Sequence, residues 1–434
     1  MIPFDHLAPD SVDDTKAKPR TFGSCQRLKV LLINQCFYPD HVATAQILTD
    51  LAQGLTEKAH HVTVVASSRG YDNPELNYPT FEKWNGIDIR RIWTPGLGKS
   101  SKLRRFIDFA CFWFNALRLL LLIPKHDVVL SLTSPPLISI LGTWIAWMKG
   151  GKSIAWIMDL NPDEAVAAGW LRQGSMPERI LSKLQNWSFH RNSMVIALDR
   201  FMEARLKAKG VPKSALRIIP PWSHDQSLQR NPEAREAFRQ KHGLAGKFVV
   251  MYSGNHSPIH PLDNILGAAE RLRDRPDIHF LFVGGGSEFL KVQNFASDRK
   301  MQTITCLPYQ PLSSLAASLT SADLHLVVMG QPFVGIVHPC KIYNVLSLGI
   351  PFLFVGPSPS HVTDIAASLA LPDYAHLAEN DVSEICAMIL KASAKESLGE
   401  SPAMRRMAGD FSHGILMPQL IDEVESAAYG DAVA

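Results

Sequence analysis

Short apolar runs alternate with longer amphipathic segments along most of the chain. In the first half, runs rich in Val, Ile and Leu cover residues 28–33, 61–66, 127–132, 153–158 and 194–197. In the second half, similar runs cover 248–253, 279–283, 303–306, 324–328 and 352–355. Helical patterns between them include 43–58, 262–273, 313–318 and 341–348. Apolar strands that alternate with helices predict parallel sheets covered by helices on both faces.

The pattern stops and restarts near the middle of the chain. Pro220 and Pro221 favour extended backbone, and a polar stretch follows them. We therefore predict one α/β domain over 28–222, a linker over 223–245 and a second α/β domain over 246–415. An amphipathic helix within 416–434 is expected to pack back on the first domain. Doubly wound sheets bind ligands at the carboxyl ends of their strands, so the cleft between the domains is the expected site.

Composition narrows the class of protein. The chain has 434 residues, of which 46% are hydrophobic and 20% charged, and this excludes disorder of the whole chain. Its 44 basic and 41 acidic residues nearly balance, so a general nucleic-acid partner is not expected. Six scattered cysteines without a CxxC pair favour free thiols in a reducing compartment. Residues 1–27 lack the apolar core of a signal peptide and are expected to form a flexible tail.

One segment, residues 106–123, approaches the hydrophobicity of a membrane span. Asp108, Asn115 and Arg118 interrupt it and Pro124 ends it, whereas a span needs about 20 apolar residues. An arginine at the bilayer centre costs roughly 2.5–3.5 kcal/mol, which argues against a transmembrane helix. Two interpretations stay open: a buried core helix, or an interfacial helix whose aromatic face follows the basic residues at 102–105.

Two glycine-containing turns follow strands of the second half. The first, Gly254-Asn255-His256-Ser257, leads past His260 into a helix, and such turns bring backbone N–H groups and a helix N-terminus to an anion. An ordinary strand-to-helix turn with capping side chains fits equally well. The second turn holds three successive glycines at 284–286. It lacks the spaced GxGxxG pattern of dinucleotide-binding enzymes, so nicotinamide binding is not predicted.

The most specific segment is residues 335–351, GIVHPCKIYNVLSLGIP. It places His338 before a predicted helix and Lys341 in its first turn, and Gly349 and Pro351 end that helix. Lysine usually lies near helix C-termini, so a lysine in the first turn indicates an anion. Together with the helix dipole, Lys341 would stabilise a diphosphate, including one that leaves with negative charge. A solvated lysine at a helix start is the alternative.

Two loops of the first half follow strands where an acceptor would lie. One is TSPP at 133–136, and the other, at 159–164, holds three carboxylates. Asp159 directly follows an apolar strand, which is a position for a base or a hydroxyl-binding group. Asp163 and Glu164 also fit helix-capping roles. The histidines form no HExxH pattern, so no metal is predicted.

Taken in order, these segments resemble the retaining glycosyltransferases of family 4 over about residues 28–430. The similarity is to the bacterial branch that assembles colanic acid, O-antigen and exopolysaccharide. The matching segments are SLTSPP at 131–136, MDLNPDEA at 158–165, YSGNHSPIHPLD at 252–263, VGGGSE at 283–288, LPYQP at 307–311 and residues 335–351. The resemblance implies the α/β GT-B fold, in which two Rossmann-like, doubly wound parallel-sheet domains face one another across a cleft.

The resemblance also implies a hexosyltransferase that moves a sugar, with retention of configuration, from a nucleoside diphosphate donor to a saccharide acceptor. A UDP-sugar is the expected donor, bound by the second domain without a metal or other cofactor. The implied catalytic residues are Asp159, Lys341 and His338. The implied donor-binding residues are Gly254, Asn255, His256, His260, Gly285, Gly286, Glu288, Tyr309, Val337, Ile342 and Asn344. The implied acceptor-binding residues are Ser134, Pro135 and Asp163.

The chain departs from the family pattern at three places. The family commonly has two glutamates eight residues apart, but Asn344 occupies the second position and the first has no clear counterpart. Asn255 and His260 replace a common Arg and Lys, and the acceptor loop lacks a common histidine. Two alternatives therefore stay open: a nucleotide-sugar-binding protein without activity, and another GT-B enzyme such as a sugar-nucleotide 2-epimerase.

The aromatic and basic segment at 102–123 also bears on the acceptor. It motivates a lipid-linked saccharide acceptor and contact with a membrane surface. The expected location is the cytoplasm, at the inner face of the plasma membrane, in cell-surface polysaccharide biosynthesis.

Overall fold

The computed structural model describes residues 27–71, 73–98, 102–223, 231–395 and 398–429. The tail predicted for 1–27 lies outside the described residues apart from Arg27. The first sheet has the strands β1 (Lys29–Ile33), β2 (His61–Ser67), β3 (Phe81–Trp84), β4 (Ile87–Ile92), β5 (Val128–Ser131), β6 (Lys152–Trp156), β7 (Met194–Ala197) and β8 (Leu216–Ile218). Its helices are α1 (Ala43–Glu57), α2 (Lys102–Leu122), α3 (Ile138–Lys149), α4 (Asp163–Ala167), α5 (Met176–Arg191) and α6 (Arg200–Ala208).

A second sheet begins after residue 247. Its strands are β9 (Phe248–Asn255), β10 (Ile278–Gly285), β11 (Ile304–Leu307), β12 (Leu324–Val328), β13 (Phe352–Val355) and β14 (Ala375–Ala378). The helices of this part of the chain are α7 (Pro232–Lys241), α8 (Asp263–Arg271), α9 (Phe289–Asp298), α10 (Leu312–Thr320), α11 (Lys341–Leu348), α12 (His361–Leu369), α13 (Val382–Ser393), α14 (Pro402–Asp410) and α15 (His413–Tyr429).

Both sheets are doubly wound. The first has the order β3-β4-β2-β1-β5-β6-β7-β8, in which only β3 pairs antiparallel, and the second has the order β11-β10-β9-β12-β13-β14. The strand order reverses between β1 and β5 in the first sheet and between β9 and β12 in the second. Such reversals open a crevice at the carboxyl ends of the strands, where ligands of these folds bind.

The apolar runs form strands because both of their faces are covered. In β1, Val30 and Leu32 point into one core cluster, while Leu31 and Ile33 point into the cluster on the opposite face. The predicted strands and helices coincide with observed ones to within a few residues. The prediction missed the hairpin of β3 and β4, the short strands β8 and β14, and the helix α7 within the predicted linker.

Helix α7 begins at a cap that its sequence supplies. The Asn231 side chain accepts a hydrogen bond from Ala234 N, and Pro232 occupies the first turn, where its missing N–H costs nothing. At the other end of the chain, α15 returns to the first sheet. Its Leu420, Ile421 and Val424 join the core cluster of the first sheet.

The two sheets meet along an edge formed by residues 334–338. The Arg205 guanidinium donates to Val334 O (2.6 Å), and Leu160 N donates to Ile336 O (2.9 Å). Gly335 has a φ of +69°, and a Cβ on it would lie 2.6 Å from Phe201 O. The loop that precedes α11 is therefore seated directly against the first domain.

Helix α2 is apolar on two sides. Phe112, Ala116 and Leu120 are buried against the first sheet, whereas Phe106 and Leu122 are exposed. The two interpretations of this segment from the sequence thus describe opposite faces of one helix. Within the part of the chain that the structure describes, no helix is long and apolar enough to cross a membrane.

Candidate active site

The ammonium of Lys341 lies in the cleft at the carboxyl end of β9. Its Nζ is shielded from solvent and has no hydrogen-bond partner among the described residues. It stands 3.7 Å from the ring centroid of Tyr252, which lies beneath it. A Cβ on Gly254, whose φ is +127°, would lie 3.5 Å from this Nζ. Burial lowers the pKa of Lys341 to about 7.

A charged ammonium in this position is costly without an anion. Burying an unpaired charge costs several kcal/mol, and a cation–π contact returns about 2 kcal/mol when both partners are desolvated. The lowered pKa of Lys341 has burial as its main cause and expresses the same cost. A diphosphate placed against Gly254 would provide the missing negative charge.

Glycines let the ends of β9 and β10 approach the same point. A Cβ on Gly284 (φ +137°) would lie 2.0 Å from Gly254 O, and a Cβ on Gly286 (φ +122°) would lie 2.3 Å from His256 O. The exposed ring of Tyr309 covers Gly285, whose Cβ would be 3.1 Å from the ring. The backbone of these turns, at Gly254 and at 284–286, therefore forms one surface, which we call the glycine floor. The exposed Tyr309 ring lies at its edge.

Glu288 and Asn255 border this floor. Glu288 N donates to His256 O (3.1 Å), and the Glu288 carboxylate lies 3.8 Å from Lys291 Nζ. Asn255 is exposed, and its backbone O accepts a hydrogen bond from the Tyr252 hydroxyl (2.8 Å). Both residues lie beside the glycine turns, and their contacts with a donor stay predictions.

The two histidines of the first turn differ in position. His260 Nδ1 donates to Val328 O (2.6 Å), and burial together with the nearby Lys341 charge lowers its pKa to about 3. His256 is fully buried between the rings of Tyr252 and Phe289, and the same two causes lower its pKa to about 4. His256 thus packs behind the turn, but its shielded Nε2 has no hydrogen-bond partner among the described residues, and its donor contact stays a prediction.

The first turn of α11 has fewer free backbone N–H groups for an anion than the sequence predicts. The N–H groups of Cys340, Ile342 and Tyr343 already donate to the carbonyls of the three residues from His338 to Cys340. The predicted donor contact of Ile342 is through its backbone, and its N–H already donates to Pro339 O (3.2 Å) while its side chain is buried in the core. Asn344 is half-buried and lies one turn after Lys341, on the same side of the helix. The Lys341 charge therefore carries most of the anion binding at this helix.

His338 is held in a buried polar chain between the domains. Its Nδ1 donates to Asp199 Oδ2 (2.7 Å), and its Nε2 accepts from the Tyr343 hydroxyl (2.5 Å), which in turn accepts from His361 Nε2 (3.1 Å). Asp199 also caps α6 of the first domain. Both ring nitrogens of His338 are therefore occupied. This corrects its predicted catalytic role to a positioning one at the domain junction.

The same cluster is the only set of metal-type ligands that the described residues bring together. Ligand atoms of Asp199, His338 and His361 lie within 4.8 Å of one another. Their hydrogen bonds to each other and to Tyr343 already satisfy them. The expectation that the protein needs no metal stays a prediction.

The acceptor side of the cleft is formed by the loop after β6. Asp159 pairs through its backbone with Val337 of the opposite domain, and its N–H donates to Thr133 Oγ1 (3.4 Å). Burial, reinforced by the Glu164 carboxylate, raises the pKa of Asp159 to about 8. Burial also raises the pKa of Glu164, although a hydrogen bond from Asn161 opposes this change.

The other predicted acceptor residues divide between two environments. Ser134 is half-buried at the strand ends, where its hydroxyl donates to Gln35 Oε1 (3.4 Å). Pro135 is buried, and Asp163 pairs with Lys209 Nζ (2.8 Å). The structure thus corrects the predictions for Pro135 and Asp163, since packing and an ion pair occupy their side chains.

Reasoning from the sequence missed two residues that act on this site across long chain separations. Tyr252 is the first residue of the segment YSGNHSPIHPLD, but only the fold places its ring under Lys341. Arg105, in the first turns of α2, lies close enough to Asp159 and Glu164 to lower the pKa of both. The sequence could have indicated Tyr252, because it is an aromatic residue two positions before a glycine at a strand end. The sequence around Arg105 gives no such indication.

Comparisons with known proteins relate the chain to glycosyltransferases. Residues 43–222 match the family model described as a glycosyl transferase 4-like domain. The chain is 24% identical over 334 residues to the putative colanic acid biosynthesis glycosyl transferase WcaI of Escherichia coli K12. This alignment covers 74% of the chain and 82% of WcaI.

Solved structures share the fold at low identity. Sucrose-phosphate synthase from Thermosynechococcus elongatus superimposes with a TM-score of 0.68 at 14% identity, covering 92% of this chain and 98% of that one. HepE from Anabaena in complex with UDP-glucose gives a TM-score of 0.67 at 14% identity, covering 92% and 100%. The comparisons confirm both the family resemblance and the GT-B fold predicted from the sequence.

Proposed function

We propose a specific reaction on the premise that this chain is a family 4 glycosyltransferase of polysaccharide biosynthesis. It transfers a hexosyl residue from a nucleoside diphosphate sugar to a lipid-linked saccharide, with retention of configuration. The observation that carries the donor assignment is the shielded, unpartnered Lys341 ammonium beside Gly254.

A UDP-sugar is the proposed donor. HepE from Anabaena, which shares the fold, has been solved in complex with UDP-glucose. In this chain the exposed Tyr309 ring at the rim of the glycine floor provides a stacking surface for a base. Asn344, one turn after Lys341, supplies an amide for the ribose.

Retention is the proposed outcome, and it is supported by an Asp159 carboxyl group that is not suited to act as a base or a nucleophile. A carboxyl group whose pKa is about 8 is mostly protonated at pH 7, so it is a poor base and a poor nucleophile there. The bond from the anomeric carbon to the phosphate oxygen breaks, and the acceptor oxygen attacks from the same face. The leaving phosphate oxygen accepts the acceptor proton. Lys341 stabilises the charge that develops on that diphosphate.

The lipid-linked part of the proposal rests on a surface formed by α2, α3 and α5, which pack side by side. We call this surface the apolar face. It exposes large side chains from all three helices: Leu103, Phe106, Phe114, Leu121, Leu122, Trp147, Met148, Met176, Ile180 and Leu184. Basic side chains lie among them, with Arg118 over the Phe114 ring and Arg191 over the Trp147 ring. Exposed aromatics among arginines fit an anionic bilayer surface.

Nucleotide binding tests the donor assignment. Unfolding temperatures would be measured with UDP, GDP, ADP and CMP for the wild type, Lys341→Met and the control Lys391→Met, whose lysine is exposed on α13. We expect one diphosphate to stabilise the wild type and the control but not Lys341→Met. A ligand at 100 times its Kd adds about 2.7 kcal/mol. Equal stabilisation of Lys341→Met would refute the assignment.

Vesicle sedimentation tests the apolar face. At low salt the wild type should sediment with phosphatidylglycerol vesicles, and 0.5 M salt or phosphatidylcholine vesicles should reduce this. Replacing Phe106 and Leu122 by Ser should release the protein, whereas Leu290→Ser, an exposed leucine on α9, should not. A wild type that stays in the supernatant at low salt would exclude the membrane part of the proposal.

A further inference from the structure

His256 is a histidine in apolar surroundings directly after β9. Its side chain is fully shielded from solvent, and the rings of Tyr252 and Phe289 each lie 4.8 Å from its ring, measured between centroids. The Phe282 ring lies 6.3 Å away. A leucine would occupy such a space without burying a polar atom. Packing alone therefore does not account for a histidine at this position.

The contacts of the His256 ring determine its tautomer. Nδ1 lies 3.0 Å from Gly254 O, whereas the shielded Nε2 has no hydrogen-bond partner among the described residues. Because a carbonyl oxygen only accepts, Nδ1 carries the proton. Burial and the Lys341 charge lower the pKa of His256 to about 4, so the ring is neutral at pH 7. The ring thus leaves one buried acceptor unpaired, which lowers stability, and donates one hydrogen bond to Gly254.

The Gly254 carbonyl points toward the neighbouring strand β10. A Cβ on Gly284 would lie 2.0 Å from Gly254 O, and His256 N donates to Gly285 O (2.7 Å). Gly254 has a φ of +127°, and without a Cβ its backbone has several accessible conformations. The hydrogen bond from His256 Nδ1 therefore stabilises one orientation of the peptide group between Gly254 and Asn255.

The N–H of Asn255 belongs to that same peptide group. In a trans peptide the N–H and the C=O point in opposite directions, so this N–H points away from β10. Strand β12 lies on the other side of β9, and its pairing with β9 ends at Met251. The crevice opens beyond that residue, and the Lys341 ammonium lies in it, 3.5 Å from where a Cβ on Gly254 would be. The Asn255 N–H thus points to the side of β9 on which Lys341 lies.

An amide N–H at this place would complement the lysine. Three N–H groups at the start of α11 already donate to carbonyls of their own turn. The Tyr252 hydroxyl donates to Asn255 O (2.8 Å) and so fixes the next peptide group of the β9 turn as well. An Asn255 N–H held toward Lys341 would donate a charge-assisted hydrogen bond to a bound diphosphate, and such bonds are roughly twice as strong as neutral ones.

We infer that His256 is a positioning residue: its Nδ1–H holds the Gly254 carbonyl, so that the N–H of Asn255 is presented to the donor diphosphate beside Lys341. This inference rests on the proposed donor assignment and adds a residue that acts on the donor from behind the turn. It accounts for a histidine among aromatic rings, since a proton donor at Nδ1 entails the unpaired Nε2. His256 itself does not touch the nucleotide.

Two variants of similar shape separate this role from packing. Asparagine places an amide N–H at the position of Nδ1, whereas leucine has the same branching and no donor. Affinity for UDP, GDP and ADP would be measured by isothermal titration calorimetry on the wild type, His256→Asn and His256→Leu. For the diphosphate that binds, we expect His256→Leu to weaken binding about tenfold and His256→Asn to stay within about threefold of the wild type. Both variants should unfold cooperatively without nucleotide, which shows that the loss is in binding.

The tautomer of His256 is measured on the wild type, so this second test does not depend on the folding of the leucine variant. In protein that carries isotopically labelled histidine, the nitrogen NMR shifts of a neutral imidazole reveal which ring nitrogen is protonated. The His256 signals are identified by their absence in His256→Asn. They should show a proton on Nδ1 at pH 7.

Three outcomes would overturn the inference: wild-type affinity in His256→Leu, equal losses in His256→Asn and His256→Leu, or a proton on Nε2 in the wild type. Equal losses would indicate a role for the whole ring or for Nε2. Titration of Lys341→Met beside these variants separates the inference from the donor assignment. If binding depends on Lys341 but not on His256, only the inference fails. If the wild type binds none of the three diphosphates, the proposed function fails and the inference fails with it.

Discussion

The lowered pKa of Lys341 predicts that nucleotide binding takes up a proton. Its value of about 7 means that about half of the ligand-free protein carries the charge at pH 7, and about a tenth at pH 8. A single negative charge about 4 Å away contributes about 4 kcal/mol at an effective dielectric of about 20. A diphosphate at that distance therefore raises the pKa of Lys341 well above its ligand-free value.

These pKa values determine how strongly nucleotide affinity depends on pH. Only the protonated form binds well, so affinity should fall about fivefold between pH 7 and 8 and about eightfold more between pH 8 and 9. At pH 8, binding should take up about 0.9 proton. Calorimetry in HEPES and in Tris measures this number, because the two buffers release protons with different enthalpies.

Two variants control the measurement. Lys341→Met removes the titrating group, so its residual binding should lose this pH dependence. Lys391→Met should keep the wild-type dependence, since its lysine lies on the exposed side of α13. A wild type whose affinity is constant from pH 7 to 9, with no proton taken up at pH 8, would refute the claim that a shielded Lys341 binds the diphosphate.

Other consequences follow from the same contacts. Without nucleotide, Lys341→Met should unfold at a higher temperature than the wild type below pH 7. It removes a buried charge whose cost, from the lowering of the pKa from 10.5 to about 7, is on the order of 5 kcal/mol, and the gain should shrink as pH rises past 7. Tyr252→Leu should weaken nucleotide binding about tenfold in the same titration, through loss of the ring beneath the ammonium. Asp159→Asn should leave nucleotide affinity unchanged and lower the transfer rate, and an unaltered rate would remove Asp159 from the acceptor site. Gly335→Ala should lower the unfolding temperature, since its Cβ would meet Phe201 O at 2.6 Å.

The apolar runs predicted the parallel strands because these strands are buried on both faces. Strand β1 shows this directly, with alternate residues in two separate core clusters. The hairpin of β3 and β4 escaped prediction because β3 lies at the sheet edge and carries mixed polar and apolar residues. Helix α7 escaped because its composition is polar, and only its Asn-Pro start marks it as a helix.

Part of the candidate site could be predicted from one residue type in one turn. Lys341 in a first helical turn and Gly254 at a strand end are such cases, and the structure brings them together. Spacing alone did not reveal which way a side chain points. Ile342 enters the core, and His338 turns to Asp199 of the other domain. Contacts between distant segments, such as that of Arg105 with Asp159, depend on the fold and left no local pattern.

Transfer itself is the most direct test of the account. Labelled UDP- and GDP-sugars would be incubated with the protein and with lipid-linked saccharides from bacterial membranes, and label in the solvent-extractable product would be measured. We predict that one donor labels the product with its anomeric configuration retained, and that Lys341→Met abolishes the labelling. Donor binding with neither transfer nor hydrolysis across the acceptors would contradict the account and favour a binding protein without activity.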